Sequence, residues 1–184
     1  MKAELTEKQF FWMKTGIAAM LVLLAAVLRI LPHPWNFTPI GAMALFSGAA
    51  FRDKWKKFLF PLIALLAGDI VVGFHKLMFV VYLSFTVSVI LGICVGEKRQ
   101  PLRIAGATLL GAIQFFLITN FAIWTTFDTY PRTLAGLVAC YVAAVPLLLN
   151  TLAGDAVYAA LLFGGYSLAE HYLPHTDRLA ETSR

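Results

Sequence analysis

Arg29, Asp69, Gln114, Asn120, Asn150 and Asp155 interrupt apolar runs long enough to enter a bilayer. A charged or amide side chain in hydrocarbon is costly unless it has a partner or lines a cavity, so each is a candidate functional residue. Two carboxylates against one arginine give an ion pair with a spare acceptor. The amides supply directed hydrogen bonds, to a polar ligand or between helices. Nothing in this set reads as catalysis. The chain has no GxSxG, HExxH or phosphate-loop sequence, and no paired carboxylates beside a nucleophile. Asp69 and Asp155 could relay protons, but a relay across a membrane needs acids at several depths, and the opposite half of the spans has none. No enzyme activity, catalytic residue, metal set or cofactor is therefore expected.

The elements that must position these residues are membrane helices. The chain has 184 residues, of which 60% are hydrophobic and 14% charged. Repeated long apolar runs mark a helical membrane protein. The expected fold class is an all-α integral membrane protein of about six transmembrane helices. It forms a single transmembrane domain over residues 1–184, with a short N-terminus at 1–11 and a tail at 173–184. The first apolar run is long, lacks a small-x-small cleavage site and is followed by further spans, which reads as an uncleaved helix.

Spans are expected at about residues 12–31, 39–51, 58–74, 77–95 and 104–125. The second is short, roughly 20 Å at the helical rise, against about 30 Å of hydrocarbon. The loop before it, from Pro32 to Phe37, must then sink into the membrane over protein rather than lipid. Thr38 is the expected N-cap of that helix, with Pro39 in its first turn. The last stretch is ambiguous, because Pro146 and Asn150 divide residues 134–149 from 151–172. Six spans with 134–149 as a separate outer-side helix is the favoured arrangement; seven spans would put the tail outside.

Basic residues set the orientation. Twelve of the 15 lie before or in the first turn of the first span, after the second, after the fourth or in the tail; Arg29, Lys76 and Arg132 fall on the other side. The positive-inside rule makes the N-terminus cytoplasmic in a bacterial inner membrane. No basic patch interleaves with aromatics on a soluble face, so nucleic acid is not an expected partner. The lipid bilayer is one.

This orientation gathers Arg29, Asn36, Asp69, Asn120, Trp124, Asn150, Asp155 and Tyr158 toward the outer face, with Gln114 deeper. Two readings of the cluster stand. In one, Arg29 pairs with Asp69 or Asp155 and the amides are interhelical glue of around 1 kcal/mol each. In the other, they line a binding site in the depression above the short second helix. Trp35, Phe37, Trp124, Phe127 and Tyr130 would wall it, since ligand pockets are mostly apolar with few polar groups. The expected substrate-binding residues are Arg29, Trp35, Asn36, Asp69, Gln114, Asn120, Trp124, Asn150, Asp155 and Tyr158. Trp12, Trp55, Tyr166 and Tyr172 read as interface anchors. Cys94 and Cys140 read as buried inert thiols. His75, at an outer turn near Asp69, is the best-placed histidine but has no second ligand at metal spacing.

Small residues four apart form a second pattern: Thr15/Ala19, Ala44/Gly48, Ala64/Gly68 and Ala107/Gly111. Such pairs let helix backbones approach closely, inside the bundle or against another membrane subunit.

Four runs carry a resemblance. They are Asn36-Phe37-Thr38-Pro39-Ile40-Gly41-Ala42, Ala67-Gly68-Asp69, Asn120–Trp124 with Tyr130–Leu137, and Asn150-Thr151-Leu152-Ala153-Gly154-Asp155. Together they resemble an uncharacterised family of small bacterial membrane proteins described as putative transport proteins. That family is similar in turn to the S components of energy-coupling factor (ECF) vitamin transporters. The resemblance implies a six-helix bundle with both termini cytoplasmic and a small, vitamin-like substrate held near the outer face under loops. It also implies an ECF transmembrane coupling subunit with two ATPases as partner. The Ala-xxx-Ala docking motif of the first helix is absent here, and Thr15/Ala19 only approximates it. A chain acting alone, like solitary S-component-like proteins including those for cobalamin, fits that departure.

Overall fold

The computed structural model describes residues 6–29, 31–32 and 34–173, all of it helix and connecting loop. Six helices follow one another: α1 (Glu7–Leu28), α2 (Ile40–Ala50), α3 (Lys54–Val72), α4 (Met78–Val95), α5 (Pro101–Thr126) and α6 (Leu134–Tyr172). α1, α4, α5 and α6 are each long and apolar enough to cross a membrane. Large apolar residues such as Leu23, Leu24, Ile70, Val71 and Leu110 are exposed on the bundle's outside, as a hydrocarbon solvent requires.

Local chemistry fixes the ends. Thr6 caps α1 in a reciprocal box with Gln9, each side chain bonding the other's backbone N–H. Pro101 opens α5, where its missing N–H costs nothing. Thr133 accepts the Gly136 N–H at 3.1 Å to cap α6.

α2 is the core of the bundle. It is apolar all round, and residues 42–49 are all buried, as expected of a helix with no polar face. Phe46 packs edge-on against Phe163 and Tyr166 of α6, at 5.3 and 5.4 Å between ring centres. On its other side α2 meets α4 with backbones in contact. A Cβ at Gly48 would fall on the Val89 carbonyl oxygen, and one at Gly92 on that of Leu45. Only glycine on both helices permits this crossing. Ala44/Gly48 and Ala64/Gly68 are thus spent inside the bundle, and Gly111 faces Ser88.

The helices alternate in direction. At one end Glu170, near the end of α6, binds Lys14 of α1 at 2.9 Å and Arg99 of the α4–α5 turn at 2.6 Å. Buried Lys56 of α3 pairs there with Asp53, its ammonium over the Trp12 ring. This end holds the described N-terminus, the α2–α3 and α4–α5 turns and the end of α6. Arg29, the loop before α2, the α3–α4 turn and the α5–α6 loop lie at the other.

Several expectations change. Residues 134–149 and 151–172 are not separate elements: α6 is one helix of 39 residues, continuous through Pro146 and Asn150. Its contacts with α5 explain the continuity. Tyr141 donates to the Leu117 carbonyl at 2.7 Å and Glu170 reaches Arg99, so α6 runs antiparallel to α5 between the two ends. Thr38 does not cap α2, whose N-cap is Pro39 with no side-chain bond of its own helix. Tyr166 is a core residue rather than an interface anchor, whereas Trp12, Trp55 and Tyr172 are exposed as expected of anchors. Cys140 is buried, but Cys94 lies on the bundle's outside. His33, His175 and the tail from 174 fall outside the described residues.

Candidate functional site

A cavity of about 440 Å³ opens among the end of α1, the loop before α2, the first turn of α2, and α4, α5 and α6. Four of the ten expected binding residues line it: Arg29, Trp35, Asn36 and Asp155. Phe85, Phe115, Val81 and Ile40 form its apolar wall, and Ser88, Thr151 and His75 add polar points. Phe85 and Phe115 stack at 5.2 Å.

Arg29 closes α1 and turns inward. Its Nη2 donates to Asp69 Oδ1 at 2.5 Å and its Nη1 to the Leu65 carbonyl at 2.9 Å. Gly68 leaves room for the guanidinium, since a Cβ there would sit 2.6 Å from Nη1. The other Asp69 oxygen accepts the Tyr82 hydroxyl at 2.8 Å. Asp69 is 1% exposed and both its oxygens are engaged. It anchors the arginine from behind and does not line the cavity. A buried pair of this kind is costly to desolvate and held only by good geometry.

Asp155 is 5% exposed and differently placed. Its Oδ1 accepts the Ala42 N–H at 3.1 Å, in the first turn of α2. A Cβ at Gly41 would fall on its carboxyl group, so glycine there admits the aspartate against the helix end. A residue of α6 thereby supplies the cap that α2 lacks locally. The N-terminus of a helix carries roughly half a positive charge, which favours a carboxylate. Among the described residues Asp155 has no ion-pair partner, and no donor reaches Oδ2.

The loop roofs the cavity. Trp35 is 83% exposed at its rim. Asn36 has φ 62, a left-handed conformation that asparagine tolerates better than most residues. Asn150 does not face the cavity; it holds the loop by donating to the Trp35 carbonyl at 2.9 Å. Phe37 lies against Tyr158 at 5.8 Å, and a Cβ at Gly154 would press on the Phe37–Thr38 backbone. Asn150, Gly154 and Tyr158 of α6 together seat the roof.

Gln114, Asn120 and Trp124 are placed elsewhere. Gln114 Nε2 donates to the Ser84 carbonyl at 3.0 Å and to Ser88 Oγ at 3.2 Å, joining α5 to α4. Asn120 bonds back to the Phe116 carbonyl at 2.8 Å. Trp124 donates to the Pro131 carbonyl at 2.9 Å, bracing the α5–α6 loop. Phe127 and Tyr130 do not wall the cavity either; the Lys76 ammonium lies over the Phe127 ring. Phe85 and Phe115 take the role expected of them.

A larger cleft, about 670 Å³, opens at the opposite end among Lys8, Lys14, Arg52, Glu97, Arg99 and Glu170. Lys14 and Arg99 there share the single carboxylate of Glu170. Among the described residues, no group of three or more His, Cys, Asp or Glu side chains could hold a metal ion.

A family model matches residues 9–176. The chain belongs to DUF6580, a family of unknown function. No curated protein and no solved structure matches it. In this DUF6580 chain the sequence reading missed Tyr82, Phe85, Phe115, Ser88, Thr151 and Gly41. Tyr82 and Ser88 carried a signal, as hydroxyls inside an apolar run four residues or more from its ends. Phe85 and Phe115 carried none, being indistinguishable from other aromatics of their helices.

Proposed function

We propose that this DUF6580 protein is a substrate-binding membrane subunit, similar to an ECF S component, for uptake of a small water-soluble, vitamin-like compound. The reading places it in a bacterial inner membrane with six spans and both ends of the chain cytoplasmic. The observation that carries it is the cavity beneath the loop before α2. It combines a buried carboxylate and an arginine with aromatic walls, in a volume suited to a small molecule. The alternating helices support the orientation, because the basic turns gather at the end away from the cavity. An ECF coupling subunit with two ATPases remains the proposed partner, and the half-buried Thr15/Ala19 stretch of α1 its proposed contact.

A second reading has its own support. The Arg29–Asp69–Tyr82 and Gln114–Ser84–Ser88 contacts are interhelical glue, as a non-transporting structural or assembly protein would need. The test is mass spectrometry of small molecules that copurify in mild detergent. A bound compound lost on Trp35→Ala, with unchanged thermal stability, is expected. A Trp35→Ala protein that retains the same compound, or no compound in the wild type, favours the structural reading.

A further inference from the structure

We propose that the cavity selects a cationic ligand, a small organic molecule bearing a protonated amine that docks on Asp155. This rests on the binding-cavity reading above and names the ligand's charge.

The cavity's internal charges do not cancel. Arg29 is matched by Asp69, whose two oxygens are engaged by the guanidinium and by Tyr82. Asp155 has no such match. It is more than nine-tenths buried, lines the cavity, and uses Oδ1 on the Ala42 N–H. Oδ2 takes no hydrogen bond among the described residues. The α2 N-terminus offsets only part of a unit charge, roughly half. A carboxyl group in a low-dielectric site stays neutral unless it is paired, and a donor with positive charge is what holds it as a carboxylate.

An ammonium group supplies both the charge and the N–H. The neighbouring surface suits the rest of such a molecule. Phe85 and Phe115 offer aromatic faces, which attract cations as well as apolar skeletons. Thr151, one turn before Asp155, offers a hydroxyl acceptor for a further N–H group. An anionic ligand would instead meet Asp155 with a like charge and find Arg29 already committed to Asp69.

Thermal shift and calorimetry on the full-length protein in mild detergent test this. The probes are methylamine, benzylamine and tryptamine, against neutral benzamide and anionic benzoate and indolepropionate, in potassium buffer. Sodium chloride alone is a further arm. At least one amine should stabilise the protein in a saturable way, with the larger amines favoured. Asp155→Asn keeps an acceptor for Ala42 and should weaken that amine about tenfold or more, as loss of a charge-assisted hydrogen bond does. Trp35→Ala should weaken it as well. No saturable amine effect, or one unchanged in Asp155→Asn, overturns the inference. So does an equal response to sodium alone. Benzoate or indolepropionate binding that Trp35→Ala abolishes overturns the cationic preference while leaving the binding cavity standing.

Discussion

Asp155 Oδ1 and the Ala42 N–H lie 3.1 Å apart, so the last helix caps the second across 113 residues of sequence. The bond ties a core helix to the wall of the cavity, and stability and binding meet at one side chain. The two roles separate by substitution. Asp155→Asn preserves the acceptor and should leave the melting temperature close to wild type. Asp155→Ala strands a helix N–H and should cost about 0.5–2 kcal/mol, the usual cost of losing a cap. Melting in detergent, followed by circular dichroism, distinguishes them. An alanine variant as stable as wild type would mean that Asp155 does not cap α2.

Arg29 holds three helices at once, through Leu65 and Asp69 of α3 and, behind Asp69, Tyr82 of α4. Arg29→Ala leaves the Asp69 carboxylate buried without its cation and should cost roughly 3–5 kcal/mol. Tyr82→Phe removes one donor from the same carboxylate and should cost less, about 1–3 kcal/mol. The exposed Arg103→Ala should be close to silent. Folded yield after size-exclusion chromatography gives the order. If Arg29→Ala behaves like Arg103→Ala, the ion pair does not hold the bundle.

The orientation is open to labelling in intact cells. Cys94 lies on the bundle's outside, so Cys94→Ser and Cys140→Ser come first. Asp128 is fully exposed in the α5–α6 loop, and Lys54 is exposed at the start of α3, at the opposite end. In that background Asp128→Cys should react with a membrane-impermeant maleimide and Lys54→Cys should not. The reverse pattern would put the cavity on the cytoplasmic side.

What the sequence revealed and what it hid follow from the range of each interaction. Arg29, Asp69 and Asp155 were legible because hydrocarbon makes any charge conspicuous. Which aspartate met the arginine was not, since that depends on how α1 and α3 pack 40 residues apart. Asn150 was legible as a break in apolarity, but not as a strut for the loop below it. Pro146 looked like a helix end, yet the helix continues through it, held along α5 by Tyr141 at one end and Glu170 at the other. Gly92 passed unnoticed because its partner spacing runs to Gly48 on another helix, not to a residue four along its own. That crossing makes a further test. Gly92→Ala should lower thermal stability by about 1–3 kcal/mol, the cost of overpacking, whereas Gly106→Ala, where a Cβ meets nothing, should not. Equal melting temperatures would mean that α2 and α4 do not touch there.

Asn36 lines the cavity while holding φ 62. Its side chain and its backbone therefore make separate contributions, and simple truncation confounds them. Alanine in a left-handed conformation costs roughly 1–2 kcal/mol and tends to remodel the loop. Glycine accepts the conformation without strain and removes the amide. Asn36→Gly should keep the roof seated on Asn150 and Tyr158 and leave the melting temperature near wild type. If the amide bonds the ligand, the glycine variant should still bind more weakly, by roughly 0.5–1.5 kcal/mol for one neutral hydrogen bond. Asn36→Ala should then lose both stability and affinity. Calorimetry with the copurified compound, alongside melting of both variants, separates these outcomes. A glycine variant with wild-type affinity would assign Asn36 to loop geometry alone and leave Trp35, Arg29 and Asp155 as the cavity's contacts.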